Sequence, residues 1–321
     1  MLLPPGWASR LSGVTAPYLW WKICREAQQQ RGKLQALVVT SPHYLDLVKN
    51  AGARVRTFYY CSDDYAQYAD WGGDAILEKE AELAQRADHS FFVSQPLAER
   101  AVEDYGLEPD RVSVSPNATD EMFFQAPEEE RESALLKAYP ALKRPLLGVV
   151  GAINSRLDFE LIEACCNLPS VGSVVMVGPV DGRCQDAALE RLRRNPRCVF
   201  VGAQPHDSLP VWMQVLDVAL IPYRDTALNR SCSPMRLFDH LAAGKPVVAT
   251  AGCPQVRLFE PLVKVGNNAE ECTGLVQTVL NEESASVTEA MRRREMRQQA
   301  AREHTWASRS HRLHETMKRY F

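Results

Sequence analysis

Short apolar runs recur along this chain, and between them lie longer stretches with an apolar residue at every third or fourth position. The short runs read as strands buried on both faces, and the longer stretches as helices that cover those faces. In the first part, strands fall at 36–40, 55–61, 89–93 and 112–114. Helices fall at 44–50, ending near Gly52, and at 75–87 and 96–105; the helix at 75–87 is acidic early and carries Arg86 late. From Leu146 the alternation resumes, with strands at 146–151, 173–178, 198–202, 218–222 and 246–250 and helices at 158–168, 185–194 and 208–216. The chain closes in a mostly helical stretch over about 285–321. This alternation predicts two doubly wound α/β units with parallel strands.

Between the two series the character changes. Residues 125–144 hold the acidic run Glu128–Glu132 with prolines on both sides, which reads as a solvated interdomain linker. The predicted organisation is a first α/β domain over 1–125, a linker over 126–144, a second α/β domain over 145–290 and a helical segment over 291–321 that packs back across the domains. In open parallel folds ligands bind beyond the carboxyl ends of the strands, so a cleft between the domains is the default site.

One stretch carries the sharpest local chemistry. In residues 229–250, Ser233 suits a helix N-cap, Pro234 the first helical position and Gly244 the position past the helix end. The N–H groups at the start of that helix, around Met235 and Arg236, form a natural phosphate site. Asp239, on the second turn, lies within reach of a sugar hydroxyl beside that phosphate. The stretch therefore points to a nucleotide diphosphate.

Composition removes some alternatives. The 321 residues are 45% hydrophobic and 24% charged, ordinary values for a globular protein, and the net charge of −3 argues against a nucleic-acid partner. No run approaches a membrane span, and the first residues lack the charged start and apolar core of a signal peptide. Nine scattered cysteines, an odd number without a C-x-x-C pair, fit reduced thiols in a cytoplasm better than a disulfide framework or zinc site. Residues 289–321 carry nine Lys/Arg against four Glu, and this basic tail, with the Trp20–Trp21 pair, raises peripheral contact with a membrane surface.

Four segments together resemble the retaining family 4 type of GT-B glycosyltransferases, in particular bacterial enzymes of the teichuronic-acid and exopolysaccharide kind. They are Tyr59-Tyr-Cys-Ser-Asp-Asp-Tyr65; Val114-Ser-Pro-Asn-Ala-Thr-Asp120; Gly148-Val-Val-Gly-Ala-Ile-Asn-Ser-Arg-Leu-Asp158; and the 229–250 stretch with Leu216-Asp-Val-Ala-Leu-Ile-Pro-Tyr223. The resemblance implies a GT-B-like fold, two Rossmann-like domains facing a cleft, here with the first domain shortened. It implies a cytoplasmic enzyme, at the inner face of the membrane if its acceptor is lipid-linked. Such an enzyme moves a sugar from a nucleotide diphosphate sugar to a polysaccharide or glycolipid acceptor, with retention and with neither metal nor cofactor. The donor would lie against Gly151, Asn154, Arg156, Ser233, Pro234, Met235, Arg236 and Asp239. On the acceptor side, His43 could act as acid or base, and Asp63 or Asp64 could contact a hydroxyl. Three features depart from the family pattern. Ser231 stands where many relatives have a first carboxylate, Ala152 where they have an arginine, and only about 35 residues precede the first clear strand. The alternative is therefore a noncatalytic nucleotide-sugar-binding or partner subunit of a polysaccharide assembly system. A sugar epimerase would need catalytic carboxylates that cannot be placed.

Overall fold

The structure, a computed structural model, describes residues 12–30, 32–68, 73–125 and 129–321. It separates into two compact units. Among the described residues, the first comprises those up to Pro116 with Ser231–Ser233 and Ser310–Phe321, and the second those of Asn117–Arg230 with Pro234–Arg309.

In the first unit, β1 (Ala36–Val39), β2 (Arg56–Cys61), β3 (His89–Phe92) and β4 (Val112–Val114) form a parallel sheet in the order β1-β2-β3-β4. Its helices are α1 (Ser12–Gln29), α2 (Leu45–Ala51), α3 (Asp74–Arg86) and α4 (Gln95–Glu103). Asp74 opens α3 and Arg86 closes it, each at the end where the helix dipole favours its charge. Leu83, Ala84, Phe92 and Leu97 pack in one apolar core. A buried carboxylate is built into it: Glu80 accepts hydrogen bonds from Tyr59 (2.5 Å), Tyr105 (2.9 Å) and the Cys61 thiol (3.0 Å). With three donors the charge is satisfied where it would otherwise be costly. The helix α1 lies in the stretch where no element was expected. Its Ala16 and Trp20 pack against Leu47 and Ala51 of α2, whereas Trp21 is exposed, so the tryptophan pair divides between core and surface.

The second unit holds β5 (Leu146–Val150), β6 (Ser173–Val177), β7 (Cys198–Gly202), β8 (Val218–Ile221), β9 (Val247–Thr250) and β10 (Val263–Gly266), all parallel in the order β10-β9-β8-β5-β6-β7. Every residue of β5, β6, β8 and β9 is buried, as their continuous apolar runs require of a sheet covered on both faces. The expected linker at 126–144 is not plain linker, because α5 (Glu129–Ala138) occupies part of it. The remaining helices are α6 (Phe159–Asn167), α7 (Ala187–Arg194), α8 (Leu209–Val215), α9 (Ala227–Ser231), α10 (Met235–Ala242), α11 (Ala269–Ala285), α12 (Val287–Arg302) and α13 (Trp306–Lys318). Asp158, Asp186, Asn268 and Ser286 cap α6, α7, α11 and α12 with side-chain oxygens. All nine cysteines are free thiols.

The strand order fixes where a ligand can enter the second unit. From β5 the chain winds outward through β6 and β7, then returns to β8 on the other side of β5. The loops after β5 and β8 therefore diverge from a common point at the carboxyl end of the sheet, the topological switch point of a doubly wound fold.

Candidate functional site

The loop after β5 begins at Gly151, whose φ of +116° is a conformation that side chains disfavour. A Cβ there would lie 2.8 Å from Arg236 Nη2. The loop after β6 begins with Gly178 at φ +149°, and a Cβ on it would come within 2.1 Å of the Gly151 carbonyl oxygen. The absence of two side chains thus lets the β5 loop, the β6 loop and Arg236 approach one another closely.

Two guanidinium groups converge on Tyr223, which follows β8. The Cζ atom of Arg156 lies 5.2 Å from its ring centre and that of Arg236 5.1 Å, both within cation–π range. Arg156 is held twice by Asn229, which is fully buried. Its Nε donates to Asn229 Oδ1 (2.8 Å), while Asn229 Nδ2 donates to the Arg156 carbonyl (3.0 Å) and the Arg224 carbonyl (2.8 Å). Asn154 supports the same loop, its Oδ1 accepting from the Arg156 N–H (3.1 Å). Arg236 Nη2 donates to the Ala152 carbonyl (3.3 Å), and Arg236 Nη1 is buried with no hydrogen-bond partner. Arg236 thus reaches the loop position where Ala152 supplies no charge of its own. A buried N–H left without an acceptor is costly, and a bound anion would satisfy it.

Arg236 and Asp239 lie on α10. The expectation of a Ser233 cap is not met: the N-cap residue is Pro234, with ψ of 110°, and Met235 is the first helical residue. Pro234 offers no side-chain acceptor, so the helix start keeps its first N–H groups without a side-chain cap. Ser233 and Pro234 are buried, and Met235 is 50% exposed. The helix is anchored from its other face by Phe238, which stacks on His304 (5.3 Å between ring centres) and meets Phe259 edge-on (5.7 Å).

Asp239 accepts a hydrogen bond from Thr119 Oγ1 (2.8 Å). Burial raises its pKa to about 7, with Thr119 opposing that rise, Asp120 adding to it and Arg236 opposing it. Thr119 is itself fixed by backbone. Its N–H donates to the His304 carbonyl (2.9 Å), its carbonyl accepts from the Trp306 N–H (3.1 Å), and it forms a parallel bridge with Thr305. The next residue on α10, His240, is fully buried with neither ring nitrogen hydrogen-bonded, and its pKa falls to about 3 through burial and the charges of Arg236 and Lys245.

The remaining expected residues lie at the carboxyl ends of β1 and β2 in the first unit. His43 is half-buried; its N–H donates to Ser41 Oγ (3.3 Å), and burial, with the Lys79 charge, lowers its pKa. Asp63 accepts from Tyr68 Oη (2.5 Å) and from the Asp64 N–H (3.0 Å). Asp64 is 1% exposed, and Arg100 grips it with two nitrogens at 2.9 and 2.8 Å. That bidentate pair commits Asp64 to holding the loop, which leaves Asp63 the accessible carboxylate of the two. The donor-side residues Gly151, Asn154, Arg156, Arg236 and Asp239 come together in the second unit. Sequence reasoning gave no role to Tyr223, Asn229 or Thr119, although all three stand inside quoted motifs.

One unit is a parallel six-stranded sheet with two arginines and a half-buried aspartate at its switch point, and the other is also a parallel α/β unit, the two-domain organisation of the GT-B-like fold. The comparisons with known proteins agree. Residues 168–315 match the family described as glycosyl transferase-like. TuaH of Bacillus subtilis strain 168, named as a glycosyltransferase of teichuronic acid biosynthesis, is 26% identical over 203 residues, 61% of this chain and 50% of TuaH. The chain thus spans about half the length of the curated relative it matches. Among solved structures, Anabaena HepE in complex with UDP and glucose superposes with a TM-score of 0.72 at 17% identity, over 94% of this chain and 81% of HepE. Sucrose-phosphate synthase from Thermosynechococcus elongatus gives 0.70 at 17% identity, over 100% of this chain and 81% of the synthase. At these identities the structures establish the fold. They bear out the GT-B-like fold expected from the four motifs.

Proposed function

We propose that the protein is a glycosyltransferase that takes its sugar from a nucleotide diphosphate sugar and passes it to a saccharide or lipid-linked saccharide acceptor. The observation that carries this reading is Arg236. Its guanidinium rests on the Gly151 loop with a buried, unpartnered Nη1, just under one helical turn from the desolvated carboxylate of Asp239. An anionic diphosphate would fill the first need, and a hydroxyl of the ribose or sugar would donate to the second. Arg156, held over the same tyrosine, would share the charge that grows on the leaving diphosphate as the glycosidic bond breaks. In this reading the donor's negative charge is met by two guanidinium groups and the start of α10, so the reaction needs no metal, and it proceeds with retention. Asp63, with its oxygen accepting from Tyr68, would orient the acceptor hydroxyl.

The UDP in the HepE complexes supports uridine diphosphate sugars as the first donors to assay. The expected result is release of nucleoside diphosphate from one donor sugar, accelerated by a polysaccharide or glycolipid acceptor and reduced at least tenfold in Arg236→Ala. The buried Ser231, in place of a carboxylate, favours the noncatalytic alternative. Tight donor binding without release under any acceptor condition would establish that alternative.

A further inference from the structure

Thr119 is fully buried, and both of its backbone polar groups are committed. Its N–H donates to the His304 carbonyl (2.9 Å), and its carbonyl accepts from the N–H of Trp306 (3.1 Å), the first residue of α13. The strap of residues 304–306 is anchored in turn. The His304 ring stacks on Phe238 of α10, and Arg309 Nη2 meets His304 Nδ1. Thr119, the strap and α10 all belong to the second unit. The Thr119 side chain therefore springs from a backbone that is fixed relative to the helix bearing Asp239.

Its hydroxyl has one proton to give and two acceptors within reach. The Asp120 carbonyl lies at 3.5 Å and Asp239 Oδ1 at 2.8 Å, so the closer carboxylate oxygen takes the bond. Asp239 Oδ2 has no hydrogen bond among the described residues. An aspartate side chain turns about two bonds, and a half-buried one with nothing to hold it samples several rotamers. One oxygen engaged by a fixed hydroxyl removes that freedom and leaves the other oxygen for a ligand.

We propose that Thr119 is a positioning residue of the donor site, holding Asp239 by Oδ1 so that Oδ2 accepts from a hydroxyl of the nucleotide sugar. The proposal rests on the donor reading above and assigns that site a residue outside the 229–250 stretch. Two effects follow from the one hydrogen bond. It fixes the carboxylate in place, and it favours the charged form, the form that accepts from a ligand hydroxyl. The other charges that bear on Asp239 are Asp120 on the Thr119 segment, which disfavours the charged form, and Arg236 on its own helix, which favours it. His304 and Arg309 are the titratable groups on the strap, beyond Phe238. Valine has the shape of threonine without the hydroxyl, so a residue needed only for packing would tolerate that exchange.

The test is calorimetric titration of the whole protein with UDP, and with ADP and GDP as further probes, at several pH values from about 6 to 9. Thr119→Val should weaken binding about tenfold at pH 7. It should also move the pH of half-maximal affinity up by about one unit, so that most of the loss is recovered near pH 9. Thr119→Ser, which restores the hydroxyl, should bind within about twofold of the wild type. In an Asp239→Asn background, Thr119→Val should cost less than about twofold, because the carboxylate it serves is gone. Unchanged thermal melting would show that the valine variant folds; if it does not, Thr119→Ala removes the same hydroxyl and should give the same pH shift. Wild-type binding by Thr119→Val would overturn the proposal. So would a loss that is equal at every pH, or one that the serine variant does not restore. In either case binding by the wild type, weakened in Arg236→Ala, would leave the donor reading standing. No binding of any nucleotide by the wild type would overturn that reading, and this proposal with it.

Discussion

At the scale of single residues, the account depends on a few polar groups whose needs the protein leaves unmet. Arg236 is one and Asp239 another. Because its carboxyl titrates near 7, Asp239 is largely protonated in mildly acidic solution. A ligand hydroxyl that donates to the carboxylate favours the charged form, so binding releases a proton below about pH 7. Nucleotide affinity should therefore rise with pH through this range in the wild type and rise less in Asp239→Asn. Calorimetry in buffers of different ionisation enthalpy would measure the proton released. An identical pH dependence in both proteins would remove Asp239 from the site. The sequence made both residues legible, since the 229–250 stretch has them one helical turn apart. It did not show Thr119 as the partner of Asp239, because 120 positions separate them and only the fold brings them together.

At the scale of elements, the buried strands were legible because parallel strands covered on both faces leave continuous apolar runs. What escaped was elements without that signature. α1 contains Pro17 in its interior and presents aromatic residues on both faces, so its period is blurred. α5 has no buried residue at all, and its acidic first turn reads as solvated chain. The cap of α10 was misplaced by one residue, because Ser233 and Pro234 both suit a helix start and only the extended ψ of Pro234 decides between them. The glycine at the head of the β5 loop is the most sensitive point among the elements. Gly151→Ala must displace Arg236 and adopt an unfavourable φ, so nucleotide binding should weaken about tenfold or more while the fold survives. Phe238→Ala should instead destabilise the second unit by about 3–5 kcal/mol in urea titrations, because it opens a cavity beneath the motif helix. A loss much below 1 kcal/mol would show that the helix is anchored elsewhere.

At the scale of the whole molecule, two buried histidines set the response to acid. His89, bonded to Tyr320 Oη (2.9 Å) and Ser113 Oγ (2.8 Å), has its pKa lowered to about 4, chiefly by burial. His240 falls to about 3. Both are lower than in an unfolded chain, so their stabilising contribution is complete above about pH 6.5 and is lost as pH falls through their folded values. For His89 the full loss is about 3 kcal/mol. Asp239 acts in the opposite sense: its pKa is raised, so its contribution is present at low pH and is lost as pH rises through about 7. Stability should therefore fall on acidification from pH 7 to 4, less steeply in His240→Leu and more steeply in Asp239→Asn. Chemical unfolding at several pH values would show both slopes, and a wild-type protein that gains stability on acidification would contradict them. The most direct test of the central claim is calorimetric titration of the whole protein with UDP and other nucleoside diphosphates. One of them should bind the wild type with micromolar-range affinity, and Arg236→Ala should weaken it by about ten- to a hundredfold, the loss of a charge-assisted contact. No binding by any nucleotide, or equal binding by the variant, would contradict the assignment of the donor site to the switch point of the second unit.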